Sequence, residues 1–375
     1  MTETHIVNKR TGGWTIPKVL STKPLVAVTR ANLPGHGLIR LAERARLRVW
    51  PHERPPASDE LADLIGDAEA LLCVNGDPMT RGLLQECTDL RLVAMASVGY
   101  DSIDLESAHR LGIAVTNTPG VLAETVADVT MGLIIWARRG LRAAESNIRA
   151  GAWIDNGLMN LLGIDVHGAT LGIVGYGSIG RAVAARAAGF GMTVVADDSR
   201  AHDGGGIRRL PLDELLRVSD IVSLHLPLTD ATRGLIGERE LRLMKPTSTL
   251  VNTSRGAIIH QQALIRALRE GWIHSAGLDV QEHEPNPDPA DPLLSLPNLV
   301  VLPHVGAATL AARSAMVDLA VDNVLAFVEG RPLLTPVPEM RRSIVATVSS
   351  SPGDSLINSM VSSSEIRRGA DREGE

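Results

Sequence analysis

From residue 24 onward, short apolar runs alternate with longer amphipathic stretches. The runs at 24–29, 47–50, 70–74 and 92–96 are too short for helices, rich in Val, Leu and Ala, and bounded by polar or turn-forming residues. They read as strands buried on both faces. The pattern at 37–45 predicts a helix, and so does 58–65, with Ser58 as its N-cap and Leu61 as its first apolar anchor. A second series of strands follows at 170–174, 192–196, 221–224, 248–252, 275–278 and 299–302, with room for a helix between neighbours. Strands alternating with helices in this way predict parallel α/β domains.

Between the two series, Thr116-Asn117-Thr118-Pro119-Gly120 interrupts the pattern, and one long helix is predicted from about 123 to 150 as a bridge. The segment 282–297 carries five prolines and reads as a loop, and 307–330 returns to helical spacing. Residues 1–21 and the Ser-rich 341–375 lack apolar periodicity and are expected to be flexible tails.

Composition narrows the function classes. The 375 residues include only two Phe, two Tyr and five Trp, so aliphatic side chains must build the core. A stacking platform for single-stranded nucleic acid is not expected. The net charge is −6 with no long Lys/Arg run, which leaves no phosphate-backbone footprint. Two cysteines give no disulfide framework, and Cys73 lies in an apolar run as a small core residue. No signal core opens the chain, and the apolar stretch 129–136 is too short to span a bilayer, so a cytoplasmic protein without membrane contact is expected. No zinc or EF-hand spacing occurs, and no metal is expected.

The strongest local signal is Gly175-Tyr176-Gly177-Ser178-Ile179-Gly180, set between a strand and an Ala-rich helix. The first glycine of such a turn makes the bend, the second admits a pyrophosphate to the backbone, and the third lets helix and strand pack closely. The helix N-terminus then offers N–H groups and positive dipole to the phosphates. The next strand runs into Asp197-Asp198. Asp198 is placed to accept hydrogen bonds from the adenosine ribose and to repel a 2′-phosphate, with Asp197 as the substitute and Arg200 as a competing cation. NAD is therefore the expected cofactor, with NADP the less favoured alternative.

Hydride transfer to a keto acid needs a cation on the carboxylate, a proton donor, and a partner for that donor. Arg255, Glu284 and His304 each follow a predicted strand, outside the carboxyl ends of strands where open α/β folds bind ligands. Singly, each has a structural reading: a surface ion pair, a solvated acid in a Pro-rich loop, a structural histidine. Their order beyond a dinucleotide turn favours a site. His225 also follows a strand and is expected to line the cofactor groove.

With these residues in view, the chain resembles the D-isomer-specific 2-hydroxyacid dehydrogenases. The shared segments are 97–104, 117–120, 171–180, 225–229, 252–256, 277–280, Glu284-Pro285 and Pro303-His304, in that order. Thr29-Arg30, 121–124 and 162–168 look most like glyoxylate/hydroxypyruvate reductases. The resemblance implies two doubly wound parallel-sheet domains: a Rossmann NAD-binding domain, 123–305, inserted into a flavodoxin-like substrate domain made of 22–122 and 306–338. It implies a small 2-keto or 2-hydroxy acid as substrate, and a homodimer.

The same resemblance gives Arg255 the substrate carboxylate and carbonyl, His304 the acid/base role, and Glu284 the pairing with His304. Backbone N–H groups at Asn75-Gly76 and Val98-Gly99 would meet the carboxylate. The cofactor would lie along Gly175, Gly177, Ser178, Ile179, Gly180, Asp198, His225, Pro227, Thr253, Arg255, Asp279, His304 and Gly306. Two positions depart from the pattern. Gln281 stands where the family often has Phe, and Asp197-Asp198 replaces the Arg or Ser carried by many NADPH-using reductases. NAD-binding corepressors of the same superfamily keep the Arg, Glu and His, so a regulatory protein is the alternative.

Overall fold

The computed structural model describes residues 23–197 and 207–340. Two parallel sheets organise them. The first holds β1 (Leu25–Val28), β2 (Arg46–Val49), β3 (Ala70–Cys73), β4 (Leu92–Met95) and β5 (Ala114–Thr116), in the order β2-β1-β3-β4-β5. Along β1 the side chains alternate. Leu25 and Ala27 pack with Leu61, Ile65 and Met79, whereas Val26 and Val28 pack with Leu41, Val317 and Val321. A sheet covered on both faces explains why its strands read as continuous apolar runs. The cover on the second face includes Leu310–Val328, a helix from the far end of the chain.

The second sheet holds β6 (Thr170–Val174), β7 (Thr193–Asp197), β8 (Arg208–Arg209), β9 (Ile221–Leu224), β10 (Thr249–Asn252), β11 (Ser275–Leu278) and β12 (Leu299–Val301), in the order β12-β11-β10-β9-β6-β7-β8. The chain starts at β6, runs outward through β7 and β8, and returns to β9 on the other side. The resulting crevice between β6 and β9 is where doubly wound folds bind nucleotides. The helix Ala123–Arg138 lies on this sheet, with Ala127, Leu133 and Ile134 packed among Leu171, Ile173 and Val251.

Several expectations need correction. The single helix over 123–150 is two helices, Ala123–Arg138 and Leu141–Arg149, because Gly140 adopts the left-handed conformation (φ 62°) and turns the chain. Ala57, not Ser58, is the N-cap of Ser58–Ile65, and the Glu60 carboxylate accepts the Ala57 N–H in place of a hydroxyl cap. The final helix begins at Leu310, where Thr309 caps it through the Ala312 N–H. The sequence pattern missed the three-residue β5 and the two-residue β8, which are too short to show a period.

Residues 331–340 continue the first domain past that helix. Thr335 exchanges hydrogen bonds with Asn117, Val337 donates to Val115 O, and Val337 and Met340 are buried beside the first sheet. The expected tails and the ribose-side residues Asp198 and Arg200 lie outside the described residues.

Candidate active site

The glycine turn opens at the end of β6 and leads into the helix Ser178–Gly189. Gly175 has φ 94°, and a Cβ there would sit 2.5 Å from the His225 carbonyl oxygen, so β6 and the end of β9 approach only because it is glycine. Gly177 occupies the helix N-cap without a side-chain cap, which leaves first-turn N–H groups for an anion. Asp197 ends β7 beside this turn, its carbonyl accepting the Gly175 N–H at 2.9 Å.

Across the crevice, His225 Nε2 lies 2.9 Å from Ser223 Oγ, while its Nδ1 is buried with no hydrogen-bond partner. Burial pushes the imidazole down to about 4. Pro227 follows it. Thr253 Oγ1 is spent on Thr130 Oγ1 at 2.9 Å.

Arg255 leaves the end of β10 on a loop stiffened by Asn252. The Asn252 amide donates to Arg255 O at 2.9 Å and accepts from the Ser254 N–H at 3.0 Å. The guanidinium crosses to the first domain, where its Nε donates to Asp101 Oδ1 at 2.8 Å. Its Nη1 donates to Ser254 O at 2.8 Å. A Cβ on Gly99 would overlap Nη2, so the Val98-Gly99 loop touches the arginine only because it lacks a side chain. Asn117 holds that loop through Val98 O at 2.8 Å.

The third strand end supplies His304. Its backbone lies in the left-handed region (φ 54°), which costs about 1–3 kcal/mol for a residue with a Cβ. Asp279, buried at the end of β11, holds it there. The His304 N–H donates to the Asp279 carbonyl, and the carboxylate accepts from Val305 N at 2.8 Å and Gly306 N at 2.7 Å. Desolvation pushes the Asp279 carboxyl above its ordinary value, and those two N–H groups only partly offset it. Asp279 thus faces inward, behind the histidine turn.

His304 Nδ1 lies 2.7 Å from Glu284 Oε2, and Glu284 Oε1 accepts the Gln281 N–H at 2.7 Å. Desolvation is the largest influence on Glu284 and would raise it. The hydrogen bonds from His304 and Gln281, with the charges of His304 and Arg255, outweigh it and hold the carboxyl below its usual range.

Asn75 and Gly76 are exposed at the end of β3. Their loop is laced to the Gly99–Asp104 loop, for Met79 N donates to Ser102 O and Asp104 N to Met79 O. The structure therefore gathers Arg255, Glu284, His304 and the Val98-Gly99 and Asn75-Gly76 loops at strand ends of two sheets. Sequence reasoning gave no role to Asp101, Asp77 or Asn252. Asp101 stood inside a motif that was noted, but its partner is 154 positions away.

A dinucleotide turn opposite an Arg, a Glu and a His is the arrangement expected of the nicotinamide-dependent 2-hydroxyacid dehydrogenases. Comparison with known proteins agrees. Residues 131–306 match the family described as D-isomer specific 2-hydroxyacid dehydrogenase, NAD binding domain. The glyoxylate reductase of Korarchaeum cryptofilum is 47% identical over 313 residues, covering 82% of this chain and 94% of that protein. Among solved structures, a glyoxylate reductase from Paecilomyes thermophila superposes with a TM-score of 0.78 at 33% identity, covering 86% of this chain and 100% of the other. An NADPH-dependent glyoxylate/hydroxypyruvate reductase from Sinorhizobium meliloti, solved with NADP and malonate, gives 0.76 at 33% identity, covering 85% and 98%. The chain belongs to the D-isomer-specific 2-hydroxyacid dehydrogenase family and is an oxidoreductase.

Proposed function

We propose that the protein reduces a small 2-keto acid of the glyoxylate or hydroxypyruvate kind to its D-2-hydroxy acid, using Arg255 as clamp and His304 with Glu284 as acid/base pair. The observation that carries this reading is the 2.7 Å contact of His304 Nδ1 with an ionised Glu284, beside an arginine whose loop is rigid. The dinucleotide fits the uncapped helix at Gly177 and the close turn at Gly175. When bound, its nicotinamide supplies or accepts the hydride.

Arg255 binds the substrate carboxylate and polarises the C2 carbonyl, a planar match that an ammonium lacks. With Nδ1 engaged by Glu284, the His304 Nε2 is left to deliver a proton to the carbonyl oxygen as C2 gains its hydride. Glu284 keeps its charge, retains the proton on Nδ1 and steadies the ring. In oxidation the same nitrogen takes the hydroxyl proton back. The hydroxy acid carries one hydride and one proton more than the keto acid, so the exchange balances.

Further parts of the reading follow. The NAD domain spans 123–305, and the substrate domain 22–122 with 306–338. The acids at Asp197 and Asp198 favour NAD over NADP through repulsion of a 2′-phosphate. A second copy covers the apolar side chains beyond Leu141–Arg149, where Ile154 is 89% and Leu158 94% exposed. No described helix is long and apolar enough to cross a membrane. A panel of 2-keto acids assayed with NADH and with NADPH tests the reading. The expected result is turnover of glyoxylate or hydroxypyruvate with NADH favoured by at least about tenfold in kcat/KM. NADH binding without turnover of any keto acid would favour a regulatory protein instead.

A further inference from the structure

We propose that Asp77 is a positioning residue for the substrate, holding the Val74–Gly76 turn so that its backbone N–H groups face the carboxylate, with Thr29 and Arg30 as its supports. The inference rests on the keto-acid reading of the cleft. The Asp77 side chain is fully buried and draws three strands of contact together. Its Oδ2 accepts from Thr29 Oγ1 at 2.6 Å and from Val74 N at 3.1 Å. Its Oδ1 accepts from Arg30 Nη2 at 2.9 Å, and Arg30 Nη1 donates to Thr29 O at 2.7 Å.

What this network supports is a short exposed turn. Gly76 has φ 93°, and a Cβ there would meet nothing within 4 Å, so the turn fronts open space. The N–H groups of Asn75 and Gly76 donate to no group among the described residues. Successive unpaired N–H groups around a left-handed glycine make a concavity suited to an anion. The lacing of Met79 to Ser102 and Asp104 ties this turn to the loop that carries Gly99 and Asp101 against Arg255. The two loops therefore meet an anion on Arg255 from the first domain.

Stability alone does not account for a buried charged pair at this place, because apolar residues of similar size serve a core at least as well. A carboxylate is what the turn requires, for only an acceptor with two oxygens takes the Val74 N–H, the Thr29 hydroxyl and a cation together. Arg30 has a second effect. It neutralises Asp77, so that no net negative charge stands behind the N–H groups offered to an anionic substrate.

The test is steady-state reduction of glyoxylate at saturating NADH. Thr29→Val keeps the shape and deletes one hydrogen bond to Asp77. It is expected to raise KM about fivefold with kcat within about twofold, the scale of one hydrogen bond. Thr29→Ser, which keeps the hydroxyl, recovers most of that loss. Arg30→Met, which leaves the buried Asp77 without its cation, raises KM further, and Arg30→Lys less. NADH affinity by fluorescence quenching stays unchanged in all four. Wild-type KM in both Thr29→Val and Arg30→Met overturns the proposal, as does a parallel loss of NADH affinity, which marks a general fold defect. If Arg255→Lys and His304→Ala also turn over normally, it is the reading of the cleft that fails.

Discussion

Glu284 and His304, joined at 2.7 Å, come from a Pro-rich loop and from a turn past the last strand of the second sheet. Each is fixed from behind, Glu284 by the Gln281 N–H and His304 by the hydrogen bonds of its turn to Asp279. Two separate backbone constraints thus aim the ring and hold the pair in one geometry.

Glu284→Gln preserves the shape and removes the charge. The variant is expected to lose about tenfold or more in kcat, less than the full contribution of a positioned acid/base because His304 remains, with NADH affinity unchanged. The acid limb gives a second check. The folded-state value of Glu284 lies below its ordinary 4.5, so its contribution to stability is complete above 4.5 and is lost as pH falls through the lower folded value. Glu284 therefore remains ionised in the wild-type protein at pH 5. A denaturation series from pH 6 to 3 in both proteins should show the extra acid loss only in wild type.

Asp101 and Arg255 make a second relationship, this time between domains. Asp101→Ala leaves the guanidinium Nε without its partner and frees the arginine to turn. A fall of about tenfold in kcat/KM for glyoxylate is expected, the scale of a charge-assisted hydrogen bond. Combined with Arg255→Lys, the losses should be less than additive, since both act on one contact. Full additivity would separate Asp101 from Arg255.

His225 provides a pH test of stability. The unfolded chain takes up its proton near 6.5, the folded protein only near 4. Between these values the unfolded state binds more protons, so stability declines as pH falls from 6.5 toward 4. The loss should reach about 1–3 kcal/mol, and His225→Asn should flatten the decline. Urea melts at pH 7 and pH 5 measure it.

The glycine turn and most of the strands were legible in the sequence because each rests on local pattern, a spacing or an apolar run, and Arg255, Glu284 and His304 stood out as candidates by their positions past strands. What escaped depends on partners distant in the chain. Asp77 reads as a loop acid until Thr29 and Arg30 are seen against it, 48 and 47 positions away. The break at Gly140 escaped because apolar spacing continues on both sides of it. Thr335 to Met340 show no period that marks a core position, yet Val337 is fully buried.

That last segment yields a stability prediction. A chain ending at Met340 should fold and turn over keto acid. One ending at Leu334 loses the Thr335–Asn117 hydrogen bonds and the buried Val337 and Met340. It should be destabilised by about 3–5 kcal/mol, the cost of removing two core side chains. Thermal melts of the two chains decide it, and equal midpoints would show that the segment contributes nothing.

The central claim is that His304 moves the proton. The most direct measurement is single-turnover reduction of glyoxylate by preformed NADH complexes of wild type and His304→Ala, with NADH affinity determined on the same samples. The account predicts unchanged NADH affinity and a reduction rate lower by about 100-fold or more in the variant. A variant that binds NADH and reduces glyoxylate at the wild-type rate would contradict it.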